Sequence, residues 1–186
     1  MGQPTPKGKN YKGIGLENIS VWDLCFIDDH SIFAGCSDVR GMRSENNGSM
    51  WNFNYTGHTD NSMYRIVKHP SENILFAATS TVHDLYQSTY LTDARIDAGS
   101  GRVMASYDNG KTWQTIWNAE APVVWVELDP KNPNKLYASV AHSQKGGIWY
   151  SDNTQLREMS TWKKTANPPR TEGRAFNIRC LNDGSI

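Results

Sequence analysis

Apolar residues in this chain fall in short runs separated by turn-forming clusters, a pattern of strands rather than of helices. Val21 to Phe26 is the first such run, followed by a turn at Asp28, Asp29 and His30 and a second run from Ile32 to Cys36. A third begins at Gly41. The same order returns: Met63 to Lys68, a turn from His69 to Asn73, Ile74 to Ala78, and Arg102 to Ser106. It returns again with Val123 to Leu128, a turn from Asp129 to Lys135, Leu136 to Val140, and Gly147 to Ser151. Phe176 to Leu181 opens a fourth round. Residues 1–15, rich in Pro, Gly and Lys, read as a lead-in.

The rounds carry a shared octet, most complete at Ser106, Tyr107, Asp108, Asn109, Gly110, Lys111, Thr112 and Trp113. Each fixed position suits a tight hairpin. Asp108 can accept from backbone N–H groups further along the turn, and Gly110 supplies positive φ. Ser106 and Thr112 tie down loose backbone groups, and Trp113 is an apolar anchor. A worn copy keeps Ser44, Gly48 and Trp51, with Asn46 and Met50 in place of Asp and Thr, and a stretched copy runs from Asp152 and Asn153 to Thr161 and Trp162. The octet resembles the Asp-box, also called the bacterial neuraminidase repeat, which lies between the outer two strands of β-propeller blades. Trp51, Trp113 and Trp162 stand 62 residues (51 to 113) and 49 residues (113 to 162) apart, the period expected of four-stranded blades.

The expected fold is therefore all-β, a β-propeller of four-stranded antiparallel blades, with about three and a half blades present. Their expected bounds are 16–54, 60–117 and 121–165, with a fourth starting near 174. A closed ring takes roughly four to eight blades, so this is expected to be an incomplete ring: a fragment of a longer protein, or a propeller completed by another chain.

Composition narrows the function. The charges balance, 19 Lys and Arg against 19 Asp and Glu, which gives no electrostatic case for nucleic acid or an anionic membrane. Seven Trp and eight Tyr fit an aromatic-anchored β fold. Cys25, Cys36 and Cys180 are odd in number and fit no metal spacing, so buried free thiols are expected. No metal or other cofactor is expected. The polar opening residues lack the apolar core of a signal peptide, and no apolar stretch reaches membrane-spanning length.

Up-and-down blades sort their loops to two ends. The octets occupy one end and leave the other to residues 36–40, 55–62, 81–101, 118–122, 141–146 and 166–174. In propellers of this kind the functional face is the one opposite the boxes, so the octet residues are expected to be structural. Carboxylates, arginines and aromatics mix in the opposite loops, as a carbohydrate site requires. The candidate substrate-binding residues are Trp22, Arg40, His83, Asp84, Tyr86, Tyr90 and His142. The insertion from Thr81 to Gly101 carries a helical hint, with Leu85, Tyr86, Thr89 and Tyr90 on one side. It reads as a wall or lid, or as packing on a neighbouring unit.

The stretch from Gly15 to Asn18 through Gly35 to Arg43 resembles blade openings of family 74 glycoside hydrolases, xyloglucan-cutting enzymes built of two tandem propellers. In that family a strand ends in a D-[IV]-G-G-[FA] segment whose Asp is catalytic. Asp38, Val39 and Gly41 match, whereas Arg40 replaces the first Gly and Met42 the residue after the second. The resemblance implies inverting hydrolysis of a polysaccharide, which needs two carboxylates roughly 6.5–9.5 Å apart. Asp38 is then the one nominated catalytic residue, and the partner carboxylate would come from a second propeller. It also implies a secreted or periplasmic protein. A sialidase would require an Arg-Ile-Pro segment, which this chain lacks. The alternative is a non-catalytic propeller that binds a glycan or a protein.

Overall fold

A computed structural model describes residues 7–13, 19–82, 85 and 92–186. It shows three antiparallel sheets. The first comprises β1 (Asn10–Tyr11), β2 (Val21–Phe26), β3 (Ile32–Cys36), β4 (Gly41–Ser44) and β5 (Trp51–Asn52), in the order β1-β5-β4-β3-β2. The second runs β6 (Ser62–Lys68), β7 (Leu75–Ser80), β8 (Gly101–Ser106) and β9 (Gln114–Asn118) in sequence order. The third runs β10 (Val123–Leu128), β11 (Leu136–Val140), β12 (Gly147–Ser151) and β13 (Lys163–Lys164), again in sequence order. Asn10 and Tyr11, read from sequence as lead-in, instead pair with Asn52 and Trp51 and add an outer strand to the first sheet. Residues 174–181 are extended without a ladder, but Ile178 is buried against Tyr137 and Ile148 of the third sheet.

The sheets pack face to face, and the two-residue period of a strand explains how one sheet serves two interfaces. On β7, Leu75 and Ala77 join Phe33, Met63, Ile66, Met104 and Trp113 between the first and second sheets. Phe76 and Ala78 point the other way and pack with Val103, Val123, Val126, Leu136 and Ala138 between the second and third. β3, β7 and β11 are buried along their full length, as the middle of a stacked sheet demands.

The edge strands β2, β6 and β10, which adjoin one another and are the inner strands of the three sheets, share an irregularity. Each slips register once near its start: between Val21 and Asp23, between Met63 and Arg65, and between Val123 and Trp125. The skipped residues are Trp22, Tyr64 and Val124. A bulge re-aims the side chain it carries, so the same position of each sheet projects toward one end of the molecule.

The octets close the opposite end. Asp108 Oδ1 accepts from Ser106 Oγ (2.9 Å), Lys111 N (3.1 Å) and Thr112 N (2.8 Å), while Oδ2 accepts from Thr112 Oγ1 (2.7 Å). Ser106 Oγ in turn accepts from Gly110 N at 2.8 Å. Gly110 has φ +76°, and a Cβ there would stand 2.8 Å from the Phe33 ring, so both conformation and space demand glycine. Asn46 and Asn153 fill the Asp108 position of the other copies, accepting from Met50 N (2.8 Å) and Thr161 N (2.9 Å). The third copy accommodates a 3-10 segment, Thr154–Met159, between those two residues.

The second and third copies also tie a sheet to the one before it. Trp113 is buried edge-on to Phe33, with ring centroids 5.3 Å apart. Trp162 stacks on Trp117 of the second sheet at 4.5 Å and 9°. Backbone bonds reinforce the first of these joints: Thr56 N donates to Lys111 O and Trp113 N to Thr56 O, both at 2.9 Å.

Candidate functional site

At the end opposite the octets, the bulge residues meet over the middle of the three inner strands. Trp22 and Tyr64 pack edge-on, with centroids 5.1 Å apart. With Leu85, Val124, Trp125, Phe176 and Asn177 they line a small apolar recess of about 80 Å³. Trp22 and Phe176 are 42% exposed, so their rings form a platform open to solvent, whereas Tyr64 is buried and donates its hydroxyl to Val82 O at 3.0 Å. Beneath the platform, the Arg65 guanidinium lies 4.7 Å from the Trp125 ring centre. Exposed aromatic faces beside polar groups are what a sugar ring requires.

The turn that carries Asp38 and Arg40 adjoins this platform. Trp22 Nε1 donates to Ser37 Oγ at 2.7 Å, which fixes the indole against the turn between β3 and β4. Asp38 and Arg40 both hold left-handed backbone, φ 71° and 69°, in a turn closed by Cys36 N to Arg40 O and Gly41 N to Val39 O. Non-glycine residues in that region are uncommon and mark sites where the surroundings impose the conformation. Arg40 N donates to Asn61 O, and Asn61 Nδ2 donates to Asp38 Oδ1 at 3.3 Å. Asp38 is exposed.

Below Asn61 lies a buried polar layer. Asp60 pairs with Arg102 (3.3 Å) and accepts from Thr79 Oγ1 (2.5 Å). His58 is 3% exposed, and neither ring nitrogen meets a partner at hydrogen-bonding geometry. Burial pushes its imidazole down to about 3, with the Arg40 and Arg102 charges acting in the same direction and the Arg40 backbone partly opposing them. His58 is therefore neutral and braces the turn from below, its ring stacked on Tyr55.

A wall stands on the far side. Helix α1 (Asp93–Asp97) is capped by Thr92, whose side chain accepts from Arg95 N. Asp97 accepts from the Ser143 backbone N (2.8 Å) and hydroxyl, and Asp93 pairs with Arg174 at 2.9 Å. Those two Ser143 bonds hold the half-buried Asp97 carboxyl below the usual range. The end of the insertion is thus fastened to the 141–146 and 166–174 loops. His142 orders the 141–146 loop, its Nδ1 accepting from Gln144 N (2.9 Å) and Lys145 N (3.1 Å), and it lies 3.5 Å from Asp97 Oδ1.

Of the residues nominated from sequence, Trp22, Asp38 and Arg40 come together, and His142 sits in the wall. His83, Asp84, Tyr86 and Tyr90 lie outside the described residues. The octet residues Ser106, Asp108, Gly110, Thr112 and Trp113, and Ser44, Gly48, Trp51 and Trp162 of the other copies, lie in turns at the other end or in the strands they feed. Tyr64, Trp125 and Phe176 were missed. Aligning the three inner strands on their apolar runs puts Trp22 opposite Tyr64, a signal that was present but needed the bulge to interpret. All three cysteines are free, and burial raises Cys25 to about 11 and Cys36 to about 12, which makes both poor nucleophiles. Among the described residues no group of three or more His, Cys, Asp or Glu could hold a metal ion, and no helix is long and apolar enough to cross a membrane.

No protein family matches the chain by sequence, and no curated protein does. Among solved structures, an ancestral GH74 enzyme superposes on 91% of this chain with a TM-score of 0.56 and 14% sequence identity. The fold is propeller-like. The likeness at that identity is one of fold, and the chain spans 20% of that enzyme's length.

Proposed function

We propose that this chain is a carbohydrate-active propeller of the Asp-box type, in which a polysaccharide crosses the platform of Trp22, Trp125 and Phe176. The observation that carries this reading is the indole of Trp22, half-exposed and tied to the Asp38 turn by its hydrogen bond to Ser37. A sugar stacked on that ring lies beside Asp38, an exposed carboxylate held in left-handed backbone next to the Ser37 that fixes the indole. In the glycosidase form of the reading, Asp38 is the acid or base of an inverting hydrolysis and the ancestral GH74 enzyme is a fold-level precedent. Activity on soluble β-glucans and xyloglucan should then fall at least about a thousandfold in Asp38→Asn with the circular dichroism spectrum unchanged. Wild-type turnover in that variant would refute it.

A non-catalytic glycan-binding platform is the second reading, and the neighbouring carboxylates favour it. Asp60 is committed to Arg102 and Thr79, and Asp97 to Ser143. Under this reading glycan binding, measured by calorimetry, survives Asp38→Asn but drops at least about tenfold in Trp22→Ala.

A further inference from the structure

The third octet differs from the other two by its inserted segment, Thr154–Met159, which reaches the neighbouring sheet. Thr154 fastens its start, with N and Oγ1 donating to Asn134 O at 3.2 and 2.9 Å. Ser160 fastens its end, with Oγ donating to Ile116 O at 3.3 Å. Between these anchors Arg157 holds φ 56° and ψ −124°, and its guanidinium lies 4.2 Å from the Tyr107 ring centre. A non-glycine residue persists in such a conformation only where its surroundings impose it. The third sheet thus carries a cation onto the octet turn of the second.

A cavity of about 290 Å³ lies beside this crossing, between the second and third sheets. Arg157, Gln155 and Tyr107 line it, and His69 and Glu72, from the turn between β6 and β7, line it from the second sheet. None of its lining residues belongs to the first sheet or to the 174–181 segment. Its volume sits at the lower end of small-molecule sites, enough for about one sugar ring.

Two donors stand ready in it. His69 is 3% exposed, and its Nδ1 accepts from Ser71 N (3.3 Å) and Glu72 N (2.9 Å). A ring whose Nδ1 accepts carries its proton on Nε2, and among the described residues that N–H has no partner. Arg157 offers only its face to Tyr107, and among the described residues no carboxylate pairs with its guanidinium. The Tyr107 hydroxyl, buried at the same turn, also meets no partner.

We propose that this cavity binds a small sugar acid, with the ligand's carboxylate on Arg157 and His69 and its hydroxyls toward Glu72 and Gln155. An arginine fork suits carboxylate and phosphate alike. Glu72 separates them, because its negative charge opposes a phosphate dianion more than a carboxylate, while its oxygens accept from hydroxyls. The cavity is separate from the Trp22 platform and requires no carbohydrate activity there.

The test is binding to the full 186-residue chain, followed by calorimetry and by backbone amide shifts in NMR spectra. Glucuronate should bind with a Kd of about 1 mM or tighter and move the amides of Glu72, Gln155 and Arg157. Glucose and inorganic phosphate should each bind at least about tenfold more weakly. Arg157→Gln, at an exposed position, should weaken glucuronate at least about tenfold with the urea midpoint unchanged. His69→Asn should do the same, since Asn can still accept from the Ser71 and Glu72 amides but lacks the Nε2 donor. If that variant does not fold, Arg157→Gln decides. No glucuronate binding up to about 20 mM, shifts confined to residues around Trp22, or unchanged affinity in Arg157→Gln would overturn the site. Glucose binding as tightly as glucuronate would overturn the role of the carboxylate, and phosphate doing so would overturn the choice of a sugar acid.

Discussion

Asp108 shows how much one side chain organises in an octet turn. Its two oxygens take four hydrogen bonds within the turn. Burial alone would raise its carboxyl, but the bonds from Thr112, Ser106 and Lys111 outweigh burial and hold it below its usual value. Asp108→Ala should cost about 1–3 kcal/mol in urea unfolding. Asp108→Asn should cost less, because Asn46 and Asn153 already do the same work in the other copies. His58 makes a contrasting prediction at the same scale. Its folded pKa of about 3 lies below the ordinary 6.5, so as pH falls below 6.5 the unfolded chain takes up a proton that the folded chain refuses. Stability should drop by up to about 1.4 kcal/mol per pH unit between there and the folded value. The depressed Asp108 carboxyl adds to the loss only at lower pH, below its unfolded value of about 3.9. Urea midpoints of wild type and His58→Phe, compared at pH 7 and pH 5, check this: the slope should flatten in the variant.

At the scale of the element, stacked aromatics join the sheets. Trp162 lies flat on Trp117, and Trp162→Ala should destabilise by about 1–3 kcal/mol, measured by thermal or urea unfolding. The strands were legible in the sequence because β3, β7 and β11 repeat one apolar pattern after a polar turn, Ile32 to Ala34, Leu75 to Ala77 and Leu136 to Ala138. The octet turns were legible because Asp, Gly and Trp at fixed spacing leave few alternatives. β1 was not, since the two polar-flanked residues Asn10 and Tyr11 gain their strand character only from pairing with β5. The platform was half legible. Trp22 stood out, but Tyr64 and Trp125 look like ordinary core residues until the shared register slip aims the bulge positions at one end. Asp38 and Arg40 were visible as a motif, while their left-handed backbone depends on Asn61, which is remote in sequence.

For the whole molecule, the joints between sheets matter as much as the sheets. Repeat proteins whose units touch only through side chains can fray one unit at a time. Here the connection after the first sheet is threaded into the turn of the second: Thr56 and Thr112 form a parallel bridge between segments 56 residues apart (56 to 112). Only glycine fits at position 57, where a Cβ would sit 1.9 Å from Trp113 O. Removing the first sheet therefore opens the octet turn of the second. The first two sheets should unfold in a single denaturant transition, with fluorescence and circular dichroism coincident. Gly57→Ala should shift that whole transition rather than split it. The amides of Thr56 and Trp113, though outside any strand, should then exchange with solvent as slowly as those of β7. A repeat that is easy to count in the sequence need not be a unit that can open alone.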